Sequence, residues 1–131
     1  MKVSDAMTTN ILTIGPGHTL RQSAALMSAR RVGAAVVLDP DHTPGVGILT
    51  ERDILNAIGS GGDPDVETAG DHLTSDLIYA GLDWSLEDAS ATMVRGGFRH
   101  LVILEDNEVI GIISVRDILR VWSGRPVSVR G

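Results

Sequence analysis

Gly47-Ile-Leu-Thr-Glu-Arg-Asp-Ile-Leu55 returns later in the chain as Gly111-Ile-Ile-Ser-Val-Arg-Asp-Ile-Leu119. Repetition of this kind sets the architecture before any local reading, because each copy must fold the same way. The match spreads outward. Asp5-Ala-Met-Thr8 is answered by Asp71-His-Leu-Thr74, Ile11–Ile14 by Leu77–Ala80, Leu20–Arg31 by Leu86–Gly97, and Ala35–Leu38 by Leu101–Leu104. Asp5 to Asp71 is a step of 66 residues and Gly47 to Gly111 a step of 64. The two-residue difference falls in Asp39-Pro-Asp-His-Thr-Pro44, which becomes Glu105-Asp-Asn-Glu108, and turns tolerate such changes.

The bulk composition narrows the class. A chain of 131 residues with 43% hydrophobic content makes one compact domain or two small dependent halves. Phe98, Tyr79, Trp84 and Trp122 are its only aromatic residues, so the core is expected to be aliphatic. Cysteine is absent, which excludes disulfides and thiolate metal sites and fits a reducing cytoplasm. The opening Met1-Lys-Val-Ser-Asp-Ala-Met has no apolar h-region, so no signal peptide is expected, and no apolar run is long enough for a membrane span. A net charge of −6 argues against nucleic acid, which is bound through a positive field. His18, His42, His72 and His100 show no ligand spacing, so no transition-metal site is expected.

Each copy reads as strand, helix, strand, strand, helix. In the first, Asn10–Ile14 is a short strand and Thr19 caps a helix with Leu20, Ala24, Leu26 and Met27 on its apolar side. Gly33 ends that helix. Ala34–Leu38 and Val46–Leu49 form an antiparallel hairpin, and Glu51–Ile58 is helical. In the second, Leu77–Ala80 is a strand, Ser85 caps a helix to Arg95, and Gly96-Gly97 stops it. His100–Leu104 and Val109–Ile113 form the hairpin and Val115–Trp122 the last helix. Met27 and Met93 hold equivalent core positions. The expected division is repeat 1 over residues 1–58, a Gly-rich flexible linker over 59–65, repeat 2 over 66–122 and a tail over 123–131, where Val127-Ser-Val could add an edge strand. The fold class is α+β, two pseudo-symmetric halves, each a small sheet with flanking helices, packed sheet to sheet.

Thr50-Glu-Arg-Asp53 and Ser114-Val-Arg-Asp117 both stand where a strand becomes a helix. Two readings stay open. In one, Thr50 and Ser114 are N-caps and the acid three residues on reaches back to the cap's N–H. In the other, a helix N-terminus offers N–H groups and a positive dipole end to phosphate, while the carboxylate accepts two hydrogen bonds from the vicinal hydroxyls of a ribose. Arg52 and Arg116 add positive charge or are plain exposed helix arginines.

Paired repeats carrying Gly-apolar-apolar-[Ser/Thr]-x-x-Asp after the last strand, with Asp-x-Met-Thr at the opening, resemble CBS domains, whose tandem pair is called a Bateman module. The resemblance covers residues 3 to about 122. It implies binding of adenosine-containing ligands in clefts between the repeats. By that resemblance Thr50, Arg52 and Asp53 share one cleft with Ile78, Arg99 and His100, and Ser114, Arg116 and Asp117 share the other with Leu12, Gly33 and Ala34. Backbone near Leu12 and Ile78 would meet the adenine edge. Arg99-His100 stands where nucleotide-sensing members, such as the gamma subunit of AMP-activated kinase, place a basic pair on phosphates; its other reading is an ordinary basic pair at a strand start. Gly33-Ala34 takes that place in the first copy, so the Asp53 cleft is expected to prefer a phosphorylated nucleotide, against the opposing charge of Glu51.

The function expected is a regulatory module, not an enzyme, that senses AMP, ADP or ATP, with S-adenosylmethionine and NAD as alternatives. It would signal through dimer geometry or through an unknown partner in trans, since no catalytic, transporter or DNA-binding segment is attached. The resemblance also implies a homodimer formed through helices. A scaffold whose clefts stay unused is the competing reading. An ATP hydrolase is disfavoured, because the motif's acids are committed to ribose and hydrolysis needs a positioned base and usually a metal.

Overall fold

The computed structural model describes residues 1–41 and 45–123. It is an α+β fold with two three-stranded sheets and two compact units, Ile11–Leu77 and Met1–Asn10 together with Ile78–Gly131. We call them the Asp53 unit and the Asp117 unit. The edge strand expected at Val127-Ser-Val lies outside the described residues.

In the Asp53 unit, β1 (Thr13–Ile14) runs parallel to β2 (Ala34–Leu38), and α2 (Leu20–Arg30) makes the crossover. Parallel neighbours need such a connection; the antiparallel pair of β2 with β3 (Val46–Thr50) needs only a turn. Its register runs from Ala34 opposite Thr50 to Leu38 opposite Val46. Then come α3 (Glu51–Gly59) and the short α4 (Ala69–His72). The Asp117 unit repeats the plan with α1 (Val3–Ala6), β4 (Tyr79–Ala80), α5 (Leu86–Gly96), β5 (His100–Glu105), β6 (Glu108–Ser114) and α6 (Val115–Ser123).

Both cores are aliphatic. Leu20, Met27, Val37, Leu49 and Ala69 centre one cluster, and Val3, Leu86, Met93, Ile103 and Ile113 the other. Each fully buried Leu or Ile contributes about 1.5–3 kcal/mol. Met27 and Met93 are buried at matching places, as the repeat implies. Leu26, expected on the apolar side of α2, is 39% exposed instead: it falls one position before Met27 and turns off the buried face.

Three further details differ from the sequence reading. The first strands are shorter than expected, Thr13–Ile14 and Tyr79–Ala80. In the first copy Leu12 still accepts a hydrogen bond from Val36 N–H at 2.9 Å. Helix α2 ends not at Gly33 but at Arg31, which takes the left-handed conformation (φ 56°) that its counterpart Gly97 takes at the end of α5 (φ 72°). Residues 59–65, expected as a linker, form hydrogen-bonded turns: Ser60, Gly61 and Gly62 donate to Asn56, Ile58 and Ala57, and Asp65 pairs with Arg21 through two hydrogen bonds.

The short helices α1 and α4 account for the repeated Asp5-Ala-Met-Thr and Asp71-His-Leu-Thr. Asp5 accepts Lys2 N–H at 2.8 Å and Asp71 accepts Thr68 N–H at 3.0 Å, each closing one turn. Past the turn, Thr8 pairs with Ile112 and Thr74 with Ile48. The opening segment of each sequence copy therefore lies along the last strand of the other copy's sheet. This explains the motif's glycine. A Cβ on Gly111 would sit 2.9 Å from Thr8 O, and one on Gly47 would sit 2.8 Å from Leu73 Cδ1 and 3.2 Å from Thr74 O.

Candidate ligand-binding site

In the Asp53 unit the corner between β3 and α3 is held by a reciprocal cap. Thr50, extended at φ −107° and ψ 162°, accepts Asp53 N–H on its hydroxyl at 3.2 Å, and Asp53 Oδ2 accepts Thr50 N–H at 2.8 Å. Asp53 is half-buried, and its Oδ1 has no hydrogen-bond partner among the described residues. The entry to β2 meets this corner: Ala34 pairs with Thr50, and Glu51 N–H donates to Gly33 O at 2.9 Å. The Glu51 carboxylate lies over Gly33, where an added Cβ would be 3.0 Å from Oε1. Leu12 is buried beside β2. Arg52 is exposed and makes no ion pair among the described residues.

The Asp117 corner begins from the same pattern and goes further. Asp117 Oδ2 accepts Ser114 N–H at 2.9 Å and the Ser114 hydroxyl at 3.0 Å, while Asp117 N–H donates back to Ser114 Oγ at 3.1 Å. Its other oxygen, Oδ1, accepts the Thr8 hydroxyl at 3.4 Å and pairs with Arg120 Nη2 at 2.9 Å. Asp117 is 5% exposed and both its oxygens are engaged. His100 pairs across the sheet with Ser114, and Val115 N–H donates to Arg99 O at 3.0 Å. Arg99 and Arg116 are exposed and make no ion pair among the described residues, and Ile78 is 48% exposed just before β4.

Each unit thus gathers one acid, one hydroxyl and one middle-strand entry at a single corner. Leu12, Gly33, Ala34, Thr50, Arg52 and Asp53 belong to one unit and Ile78, Arg99, His100, Ser114, Arg116 and Asp117 to the other, so each expected ligand set draws on both. Sequence reasoning missed Arg120 and Thr8. The signal for Arg120 was present, since an acid and an arginine three residues apart face each other on a helix, and the first copy has Asn56 there. Among the described residues, no three His, Asp or Glu side chains converge to hold a metal ion, and no helix is long and apolar enough to cross a membrane.

Two sheets of matched topology, each ending in a hydroxyl–acid corner, define a tandem-repeat module, and comparison with known proteins places it. The chain belongs to the CBS domain family, which its residues 3–60 and 69–124 match. It is 33% identical over 116 residues to the CBS domain-containing protein YhcV of Bacillus subtilis, covering 88% of this chain and 81% of that protein. Its fold matches the CBS-domain containing protein ATU1752 from Agrobacterium tumefaciens at a TM-score of 0.85 and 27% identity, over 93% of this chain and 99% of that one. It also matches the CBS domain pair of protein MJ0100, solved with 5′-methylthioadenosine and S-adenosyl-L-methionine, at a TM-score of 0.81 and 19% identity, over 93% and 99% of the two chains.

Proposed function

We propose that this chain is a non-catalytic regulatory module that binds an adenosine-containing ligand, with Asp53 as the acid that grasps the ribose. The observation that carries this reading is Asp53 Oδ1 at the first turn of α3, which has no partner among the described residues. Its Oδ2 is fixed by the Thr50 N–H, which orients the carboxylate while leaving acceptor sites for a vicinal diol. The ligand bound by the MJ0100 pair supports the adenosine class. Thr50, Arg52, Ile78, Arg99 and His100 complete the set expected from the family, and Arg99, exposed and outside any ion pair among the described residues, supplies a cation for phosphate. Glu51, two residues before Asp53 on α3, lies over Gly33 at the same corner and opposes phosphate with its negative charge. Through Arg99, AMP, ADP or ATP still fits the Asp53 set better than S-adenosylmethionine, which carries no phosphate, and NAD stays an alternative.

The output runs through a homodimer or a partner in trans, in the cytoplasm. Leu55 and Ile58 on α3 are 68% and 51% exposed, and Leu119 and Trp122 on α6 are 56% and 37% exposed, so α3 and α6 each offer an apolar face. The scaffold reading draws on Asp117, an acid of the motif already spent on structure.

Thermal shift and calorimetry with AMP, ATP, NAD and S-adenosylmethionine decide between them. A ligand at a hundred times its Kd adds about 2.7 kcal/mol of stability. Asp53→Ala is expected to remove that gain, and Arg99→Ala to weaken AMP and ATP about tenfold while sparing S-adenosylmethionine. Silence across the panel at millimolar ligand would leave only the scaffold.

A further inference from the structure

We infer that Arg120 is an internal occupant of the Asp117 corner, so that the chain takes one adenosine ligand where its two-fold pattern offers two. This rests on the ribose reading of Asp53 and deepens it. A carboxylate has about four acceptor positions. At Asp117 three hydrogen bonds, from Ser114 N–H, the Ser114 hydroxyl and the Thr8 hydroxyl, and an ion pair with Arg120 Nη2 already occupy them. A diol arriving there must displace Arg120 from its ion pair at 2.9 Å with a carboxylate that is only 5% exposed.

The lock is not part of the shared motif. Asn56 occupies the position of Arg120 in the first copy, and its side chain makes no hydrogen bond to Asp53. Thr74 matches Thr8; it pairs with Ile48 through its backbone as Thr8 does with Ile112, yet its hydroxyl does not reach Asp53. Arg120 also donates to Ala6 O at 3.4 Å, so the same guanidinium ties α6 to the end of α1. Arg120 is therefore the residue that sets how many ligands the chain accepts. Its side chain is 60% exposed, which makes it replaceable without opening the core.

The test is AMP stoichiometry by calorimetry on the full chain, with folding checked by melting. The wild type is expected to bind one AMP per chain and Asp53→Ala none. Arg120→Asn, which installs the first copy's residue, is expected to raise the count to two, and the double variant Arg120→Asn/Asp53→Ala to retain one. Arg120→Gln serves if Arg120→Asn does not fold. Two AMP per chain in the wild type, one AMP retained by Asp53→Ala, or one AMP in a folded Arg120 variant would each overturn this inference while leaving adenosine binding in place. No AMP bound by any variant would sink this inference and the preference for AMP, and silence across the whole ligand panel would sink the ribose reading as well.

Discussion

The Asp53 and Asp117 corners start from one sequence pattern and end in different states. Both acids close a helix cap, but Asp53 keeps an oxygen without a partner among the described residues, whereas Asp117 is buried with both oxygens engaged. The difference teaches that capping and ligand binding draw on the same few atoms. The motif alone cannot say how many acceptor sites are left over, because the residues that consume them, Thr8 and Arg120, lie outside it.

Breaking the comparison begins with what the units share. Leu49 and Ile113 are fully buried at equivalent positions on β3 and β6. Leu49→Ala and Ile113→Ala should each cost about 2–5 kcal/mol, read as a lower urea midpoint at constant m-value. A loss in only one variant would show that the halves do not share the load. The acids come next. Asp117→Ala leaves the Ser114 N–H without its acceptor, an expected loss of about 1–3 kcal/mol. Asp53→Ala removes one cap bond, about 0.5–2 kcal/mol. The same denaturation curves would contradict the contrast drawn here if the two losses were reversed.

The helix ends supply a smaller and opposite effect. Arg31 holds a left-handed conformation that Gly97 adopts freely at the matching place. Arg31→Gly is expected to stabilise the chain by up to about 1 kcal/mol, which a rise in melting temperature would register. The smallest effect is acid sensitivity at α4. The Thr68 N–H, followed by the Thr68 hydroxyl, holds the Asp71 carboxyl below its ordinary value of 3.8. Folding therefore favours the ionised form. Its contribution is complete above about pH 3.8 and disappears as pH falls through the lowered value. Asp71→Asn should make the melting temperature fall slightly less between pH 5 and pH 3; an unchanged slope would show that Asp71 contributes nothing to acid sensitivity.

Much of this fold was legible in the residues. The hairpins, the capped helices and the matched methionines all follow from periodicity and turn chemistry. The short helices α1 and α4 were not legible, because four residues are too few for a helical period to show. Nor was the end of α2: a left-handed Arg31 breaks the rule that favours glycine, and Gly33 nearby offered the more conventional stop. At the candidate site the reverse held. The hydroxyls and acids were visible as a repeated pattern; the cap reading holds at both corners, and at Asp53 the cap uses only one oxygen.

What the sequence determined by itself was duplication: two sheets of one topology, aliphatic cores, and an acid at the start of each last helix. These follow from local rules, since hydrophobic period and capping act over a few residues and act alike on both copies. The tertiary structure decided that the opening segment of each copy lies along the other copy's sheet, and that Thr8 and Arg120 converge on Asp117 while Thr74 and Asn56 leave Asp53 alone. Such choices depend on which side chains meet after the chain has folded, and hydrogen-bond acceptors are shared out only then, among residues up to 114 positions apart.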